Sequence, residues 1–277
     1  MSGTTLDHVG VCARDLGPLA AAYEALGFRL TPPAQQAAGG APLATGNRCA
    51  FLRRGYIELL AILKPGLPDN GLGRLLERRE GLHILAIGMD DAAANLARLR
   101  QAGLDIPGIA PLERPTPEGA RARFERLPYP DAPEGRIQLI RHLTPELLWQ
   151  PQWLDHPNGA VALEEIFVCG GMDSAARLSR LAGLPLEPRP EGGLALRLPD
   201  GTCIALLDAE AMAAALPGLP PEAFGAAPFL AGFAVRTGDG NAAAARLLQG
   251  QPVTPLPGSA LLVPPGLAGG AALVFRP

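Results

Sequence analysis

The 277-residue sequence predicts an α+β fold made of four βαβββ units, two to a domain, with curved mixed sheets. Three observations predict it. A short apolar run, an aspartate, an amphipathic stretch and a glycine recur four times in that order. The closing glycines, at positions 27, 103, 183 and 250, step by 76, 80 and 67 residues. Behind each helical stretch come shorter β-rich and turn-rich pieces, as the rest of such a unit requires.

The first copy opens with a strand at residues 6–12 (LDHVGVC), followed by Asp15 as N-cap and a helix with Leu16, Leu19, Ala20 and Tyr23 on one face. Gly27 closes that helix, and FRLTPP, NRCAFLRR and GYIELLAIL supply three further strands. The second copy runs through LHILAIGM (residues 82–89), Asp90 and Asp91, a helix carrying Leu96 and Leu99, and Gly103. The third has LEEIFVC, Asp173, Leu178, Leu181 and Gly183. The fourth has FLAGFAV, Asp239, Leu247, Leu248 and Gly250. Between the second and third copies lies HLTPELLWQPQWLDHPNGA, rich in proline and holding both tryptophans. The domain boundary is therefore placed near Asn158, giving domains of residues 1–158 and 159–277.

Composition narrows the partners. With 48% hydrophobic and 18% charged residues the chain reads as a soluble globular protein. A net charge of -3, Lys64 as the only lysine and singly scattered arginines give no basic stripe, so neither nucleic acid nor a membrane surface is expected as a partner. No apolar run reaches the ~20 residues of a membrane span, and MSGTTLDHVG lacks the basic start and apolar region of a signal peptide, so a cytoplasmic location is expected. Cys12, Cys49, Cys169 and Cys203 stand singly in apolar stretches and are expected as buried free thiols.

Strand alternation puts His8 on one face with Leu6, Gly10 and Cys12, while Val9 and Val11 turn toward the helix. Glu58 shares its face with Tyr56, Leu60 and Ile62, and a carboxylate among aliphatics needs a partner. His83 stands close to the point of its strand that His8 occupies in its own: 19 residues separate His8 from its closing glycine and 20 separate His83 from its own. With first and last strands of a unit as neighbours, His8, Glu58 and His83 would reach one ion. Two imidazoles and a carboxylate suit Fe(II), Mn, Ni or Zn. The alternative is a pocket without metal in which the two histidines are satisfied by Glu58. His142 is a candidate general base or further ligand, with capping of a strand end as the competing role. Tyr56 joins it as a candidate catalytic residue. Asn47, Arg48 and Glu146 are candidate substrate contacts, Arg53 and Arg54 fit a solvated strand edge, and His156 fits a turn. At the matching places of the second half stand Glu165, Ala205, Ala231 and Ala272, a set that cannot hold a metal.

LDHVGVCARDL, GYIELLAI and GLHILAIGMDD resemble the metal-bearing strands of the vicinal oxygen chelate superfamily, which joins glyoxalases, bleomycin-resistance proteins and extradiol dioxygenases. The resemblance covers residues 4 to about 160. NRCAFLRRGYIELLAI, HLTPELLW and HPNGA make the chain most similar to the glyoxalase-like subgroup. Aligning GRIQLIRH on GYIELLAI implies Gln138 as a fourth ligand. Glyoxalase I relatives carry a carboxylate base at that place, and an amide cannot accept the proton, so their isomerisation is disfavoured. Extradiol dioxygenases place their single glutamate there too. What the resemblance implies is a divalent-metal enzyme, a lyase, hydrolase, epimerase or dioxygenase, acting on a small substrate with neighbouring oxygens. The alternatives are a sequestering protein of the same fold that binds a small molecule without metal, and a protein whose sheets serve assembly alone. Such proteins are commonly homodimers, which the resemblance allows here.

Overall fold

The computed structural model describes residues 4–116, 119–129 and 132–277, and all four βαβββ units are present among them. The first unit is β1 (Thr5–Ala13), α1 (Leu16–Ala25), β2 (Ala34–Ala38), β3 (Ala41–Phe51) and β4 (Tyr56–Ile62). After α2 (Leu72–Arg78), the second unit is β5 (Gly81–Gly88), α3 (Ala92–Gln101), β6 (Ala110–Pro115), β7 (Arg121–Tyr129) and β8 (Arg136–His142). The third has β9 (Ala160–Cys169), α4 (Met172–Ala182), β10 (Glu187–Pro188), β11 (Leu194–Arg197) and β12 (Cys203–Leu207). After α5 (Ala209–Ala215), the fourth has β13 (Phe229–Thr237), α6 (Ala242–Leu247), β14 (Thr254–Leu256), β15 (Ala260–Val263) and β16 (Ala272–Arg276). The helices α2 and α5 follow the last strands of the first and third units and lie outside the repeated sequence pattern.

Local chemistry explains the first two helix starts. The carboxylate of Asp15 accepts from the Gly17 amide at 2.8 Å, and that of Asp91 from the Ala94 amide at 2.9 Å. In the later copies the aspartate keeps its neighbourhood without being the cap: Gly171 caps α4 and Asn241 caps α6, while Asp239 accepts from the Ala243 amide at 2.7 Å.

The first eight strands close into a barrel in the order β1-β4-β3-β2-β6-β7-β8-β5, sealed by a short β2–β6 contact through Ala37 and Glu113. The other eight form a sheet in the order β10-β11-β12-β9-β13-β16-β15-β14. In each half the first and last strands of a unit are neighbours, as supposed from the sequence, and they pair in parallel, β1 with β4 and β5 with β8 in the barrel. One hydrophobic core serves both halves. Val9, Val11, Leu85 and Ile87 from the back of the barrel join Leu163, Ile166, Phe233 and Val235 from the back of the second sheet. The hollow sides of both sheets therefore face away from this core.

The seam of the barrel is the antiparallel β1–β5 pair, and it is bulged twice. Its ladder passes from Leu6–Ile87 to His8–Ala86, skipping Asp7, and from Gly10–Ile84 to Val11–Leu82, skipping His83. The two bulges are related by a pseudo-twofold axis at the Val9–Leu85 pair, so Asp7 corresponds to His83 and His8 to Ile84. Because of the first bulge, Leu6 joins the core, while His8, two residues on, faces the hollow side. Ile84 lies across Gly10, where an added Cβ would come within 2.6 Å of its side chain. Gly10→Ala should therefore cost about 1–3 kcal/mol in chemical denaturation. Adding Ile84→Ala should recover part of that loss, giving a favourable coupling in the double-mutant cycle.

Candidate functional site

Inside the barrel, His8, Tyr56, Glu58, Asn47, Ile84, Arg114 and Gln138 line one small cavity of about 30 Å³. The ladders place them. β4 sets Tyr56 beside His8 and Glu58 beside Gly10, β3 sets Cys49 beside Glu58 with Asn47 one inward position away, and β8 sets Gln138 beside Ala86.

His8 is 2% exposed, and its ring stacks on Tyr56 with centroids 4.4 Å apart. Its Nδ1 lies 2.7 Å from Oδ1 of Asp7. Nε2 of His142 lies 3.0 Å from Oδ2 of the same carboxylate. Burial alone would raise the pKa of Asp7, but His142 and His8 outweigh it and hold the carboxyl below the usual carboxylate range. An ionised carboxylate only accepts, so Nδ1 of His8 and Nε2 of His142 carry the protons. In the neutral tautomer that this bond selects, Nε2 of His8 keeps the lone pair. Asp7 was not singled out in the sequence, yet its place beside His8 in a strand that must bulge makes it the group that orients the imidazole.

Glu58 is buried at 7% exposure. Its Oε1 accepts from Nδ2 of Asn47 at 2.6 Å and from Nε2 of Gln36 at 3.1 Å. Gln36, in turn, accepts from the Thr45 hydroxyl at 2.7 Å. Two amides thus fix the carboxylate. The Oε1 atom of Gln138 is buried and has no hydrogen-bond partner among the described residues.

His83 does not reach this cavity. Its bulge turns it to the back of the barrel, where it is 1% exposed and Nε2 lies 2.8 Å from the Arg79 carbonyl. Arg79 continues across to the carbonyls of Leu230 at 2.7 Å and Gly270 at 3.4 Å in the second half. The pseudo-equivalent of His8 is Ile84, so an aliphatic side chain fills the place foreseen for the second imidazole. The signal was legible in the glycine step: 76 residues on from His8 is Ile84, one past His83.

The remaining candidates separate in the same way. Arg48 lies on the outer face, donating to the Thr31 carbonyl at 2.8 Å and pairing with Glu24 at 2.9 Å. Glu146 is exposed in a one-turn 3-10 helix, Pro145–Leu147. His142 sits behind Asp7, outside the cavity lining. Arg53 is exposed, whereas Arg54 donates to the Asp200 carbonyl at 3.2 Å across the halves. His156 pins its turn to the barrel: its Nδ1 accepts from the Arg29 amide at 3.0 Å and its Nε2 lies 2.9 Å from the Phe51 carbonyl. Among the described residues no three His, Cys, Asp or Glu side chains cluster as a metal site. All four cysteines are buried and free.

In the second half Glu165 takes the place of His8, opposite Cys203, and is paired with Arg189 at 3.0 Å and Arg276 at 2.5 Å. Ala205 stands where Glu58 does, and Ala231 is the bulged residue matching His83. The place of Gln138 belongs to Val274, two positions beyond the Ala272 expected from sequence. Phe167, Met212, Leu216, Phe224 and Phe229 form a hydrocarbon cluster on this side, beside a pocket of about 430 Å³ lined by Glu165, Arg189 and Arg276.

Residues 6–184 match the profile described as a glyoxalase-like domain. The chain belongs to that family. No curated protein matches its sequence. A hypothetical protein from Staphylococcus aureus is similar in fold along both whole chains, with a TM-score of 0.66 at 12% identity and 100% of each covered. A 4-hydroxymandelate synthase from Streptomyces coelicolor has a TM-score of 0.59 at 16% identity, covering 100% of this chain and 93% of that one. An Mn(II)-bound glyoxalase from Novosphingobium aromaticivorans gives 0.58 at 14% identity, covering 99% and 82%. The fold is thus that of the vicinal oxygen chelate proteins. No helix among the described residues is long and apolar enough to cross a membrane.

The placement of His83 carries a pH dependence. Burial, with help from Arg79, lowers its pKa from 6.5 to about 4, so the unfolded chain binds its proton first and folding stability falls as pH drops through this window. Between pH 7 and pH 5 the wild type should lose roughly 2 kcal/mol more stability than His83→Gln, measured by urea unfolding at each pH.

Proposed function

We propose that the barrel is the active cup of a divalent-metal-dependent enzyme of the vicinal oxygen chelate type, acting on a small substrate with neighbouring oxygens. His8, Glu58 and Gln138 would hold the metal. The observation that carries this proposal is the carbonyl oxygen of Gln138, buried without a donor among the described residues in the cavity that His8 and Glu58 also line. A buried, unsatisfied acceptor costs about 1–3 kcal/mol, and a cation would relieve it. The donor set suits a borderline ion: an imidazole nitrogen freed by the Asp7 bond, a carboxylate oxygen and an amide oxygen. A cavity of about 30 Å³ has room for an ion or a small amount of water and too little for a substrate.

A bound divalent ion would supply Lewis-acid polarisation of two adjacent substrate oxygens. The protein's part is orientation. Asp7 and the Tyr56 ring fix His8, Gln36 and Asn47 fix Glu58, and Ile84 narrows the side where a second imidazole would enter. An amide at position 138 takes no proton, so glyoxalase I isomerisation remains disfavoured, leaving lyase, hydrolase or dioxygenase chemistry, the last with its carboxylate supplied by Glu58 instead. We place the protein in the cytoplasm.

A second reading has its own observation. Ile84 fills the fourth position, and Arg114, Arg126 and Arg136 line the same cavity as the single carboxylate of Glu58. That balance favours an anionic ligand held without metal, as in a sequestering protein.

Elemental analysis decides between them. The purified chain, stripped with EDTA and reloaded separately with Mn²⁺, Fe²⁺, Ni²⁺ or Zn²⁺, should bind one of them at one ion per chain. At an ion concentration about a hundredfold above its Kd, melting should rise by about 5 °C or more. His8→Ala and Glu58→Gln should abolish both effects. Substoichiometric metal with unchanged melting for all four ions would leave the second reading.

A further inference from the structure

We propose that the barrel takes its substrate as an organic oxyanion, a carboxylate or a phosphate, gripped between Arg126 and Arg136 in a chamber outside the metal-holding cavity. This chamber has a volume of about 740 Å³, within the range of small-molecule sites. Its wall shares Asn70, Arg126, Arg136 and Gln138 with the inner cavity. A ligand seated there faces the amide that also faces His8 and Glu58.

The charge in this chamber is one-sided. Arg74, Arg78, Arg126 and Arg136 line it against one carboxylate, Glu77, among the described residues. Arg78 is committed to the carbonyls of Pro133 at 2.8 Å and Pro228 at 3.1 Å. Arg136 spends one nitrogen on the Asn70 carbonyl at 2.6 Å. Nε of Arg126 is buried and has no partner among the described residues. Neither Arg126 nor Arg136 has a carboxylate within 4.0 Å among the described residues. Three half-buried arginines elsewhere do: Arg177 holds Glu134, and Arg189 and Arg276 hold Glu165.

Burial penalises the charge of Arg126 and the neighbouring Arg136 repels it, so that its pKa is lowered although Glu58 attracts it from further off. An oxyanion offers each a charge-assisted, two-pronged hydrogen bond. Leu75, Pro128 and Tyr129 give the chamber an apolar side for the ligand's hydrocarbon or aromatic part. Arg126 and Arg136 reach this place from β7 and β8, facing inward with Phe124 and Ile140 of the same strands.

The assignment rests on the barrel being the active cup, but its test does not need metal. Isothermal titration of the full chain with benzoate, phenylphosphonate and neutral benzamide should show binding of at least one anion and none of benzamide. Affinity should weaken with added NaCl. Arg126→Met and Arg136→Met should each weaken the bound anion about tenfold or more, with Arg126→Lys between them and the wild type. A preference for benzoate or for phenylphosphonate separates a carboxylate from a phosphate. Absence of binding by both anions, equal binding of benzamide, or unchanged affinity in both methionine variants would overturn the proposal. Anion binding that persists in EDTA-treated protein unable to take up metal would leave it standing while the metal function fails.

Discussion

Everything in the candidate site hangs on the antiparallel seam between β1 and β5. A regular ladder there would put alternate residues of both strands into the barrel. Two bulges break the alternation, one per strand, and each reverses the facing of everything beyond it. The first lets Leu6 reach the core while His8 enters the cup and Asp7 stands beside it. The second sends His83 to the back and Ile84 inward. Moving either bulge by one residue would exchange a polar group for a core leucine.

Much of this architecture could be read from the sequence because repetition is recorded in spacing. The glycines that close the helices and the alternating strands need no long-range information, and they gave four units. His8, Glu58 and Tyr56 could be set on inward faces because a strand keeps a period of two, whereas Gln138 came from aligning the last strands of the first two units and Asn47 from its nearness to Glu58. His83 was misplaced because a bulge adds one residue and leaves little trace in composition. The single-residue excess in its distance from Gly103 was that trace. Arg114, Arg126 and Arg136 looked scattered because they come from three strands and meet only when the barrel closes. Asp7 looked like an ordinary neighbour of His8 because a regular strand would have turned it away.

The two halves show what one framework does with opposite fillings. Both have the bulged central pair and the parallel first and last strands. In the barrel the inward positions carry amides, a carboxylate, an imidazole and guanidiniums. In the second sheet they carry alanines and phenylalanines, with Glu165 neutralised at the rim by two arginines. Polar groups in a hollow need partners that hydrocarbon does not, so the barrel has the more exacting interior.

The shared core joins these two interiors. The backs of both sheets meet in a single hydrophobic mass, and Asn158 binds the connecting segment to the carbonyls of Leu26 and Gly27 at 2.9 and 3.3 Å. Neither half can come apart without baring the other's apolar back. Exposing either back costs apolar burial, and that shared surface couples the stability of the two halves. Duplication has left two interiors of different chemistry back to back on one spine, so a change in the spine is felt by both.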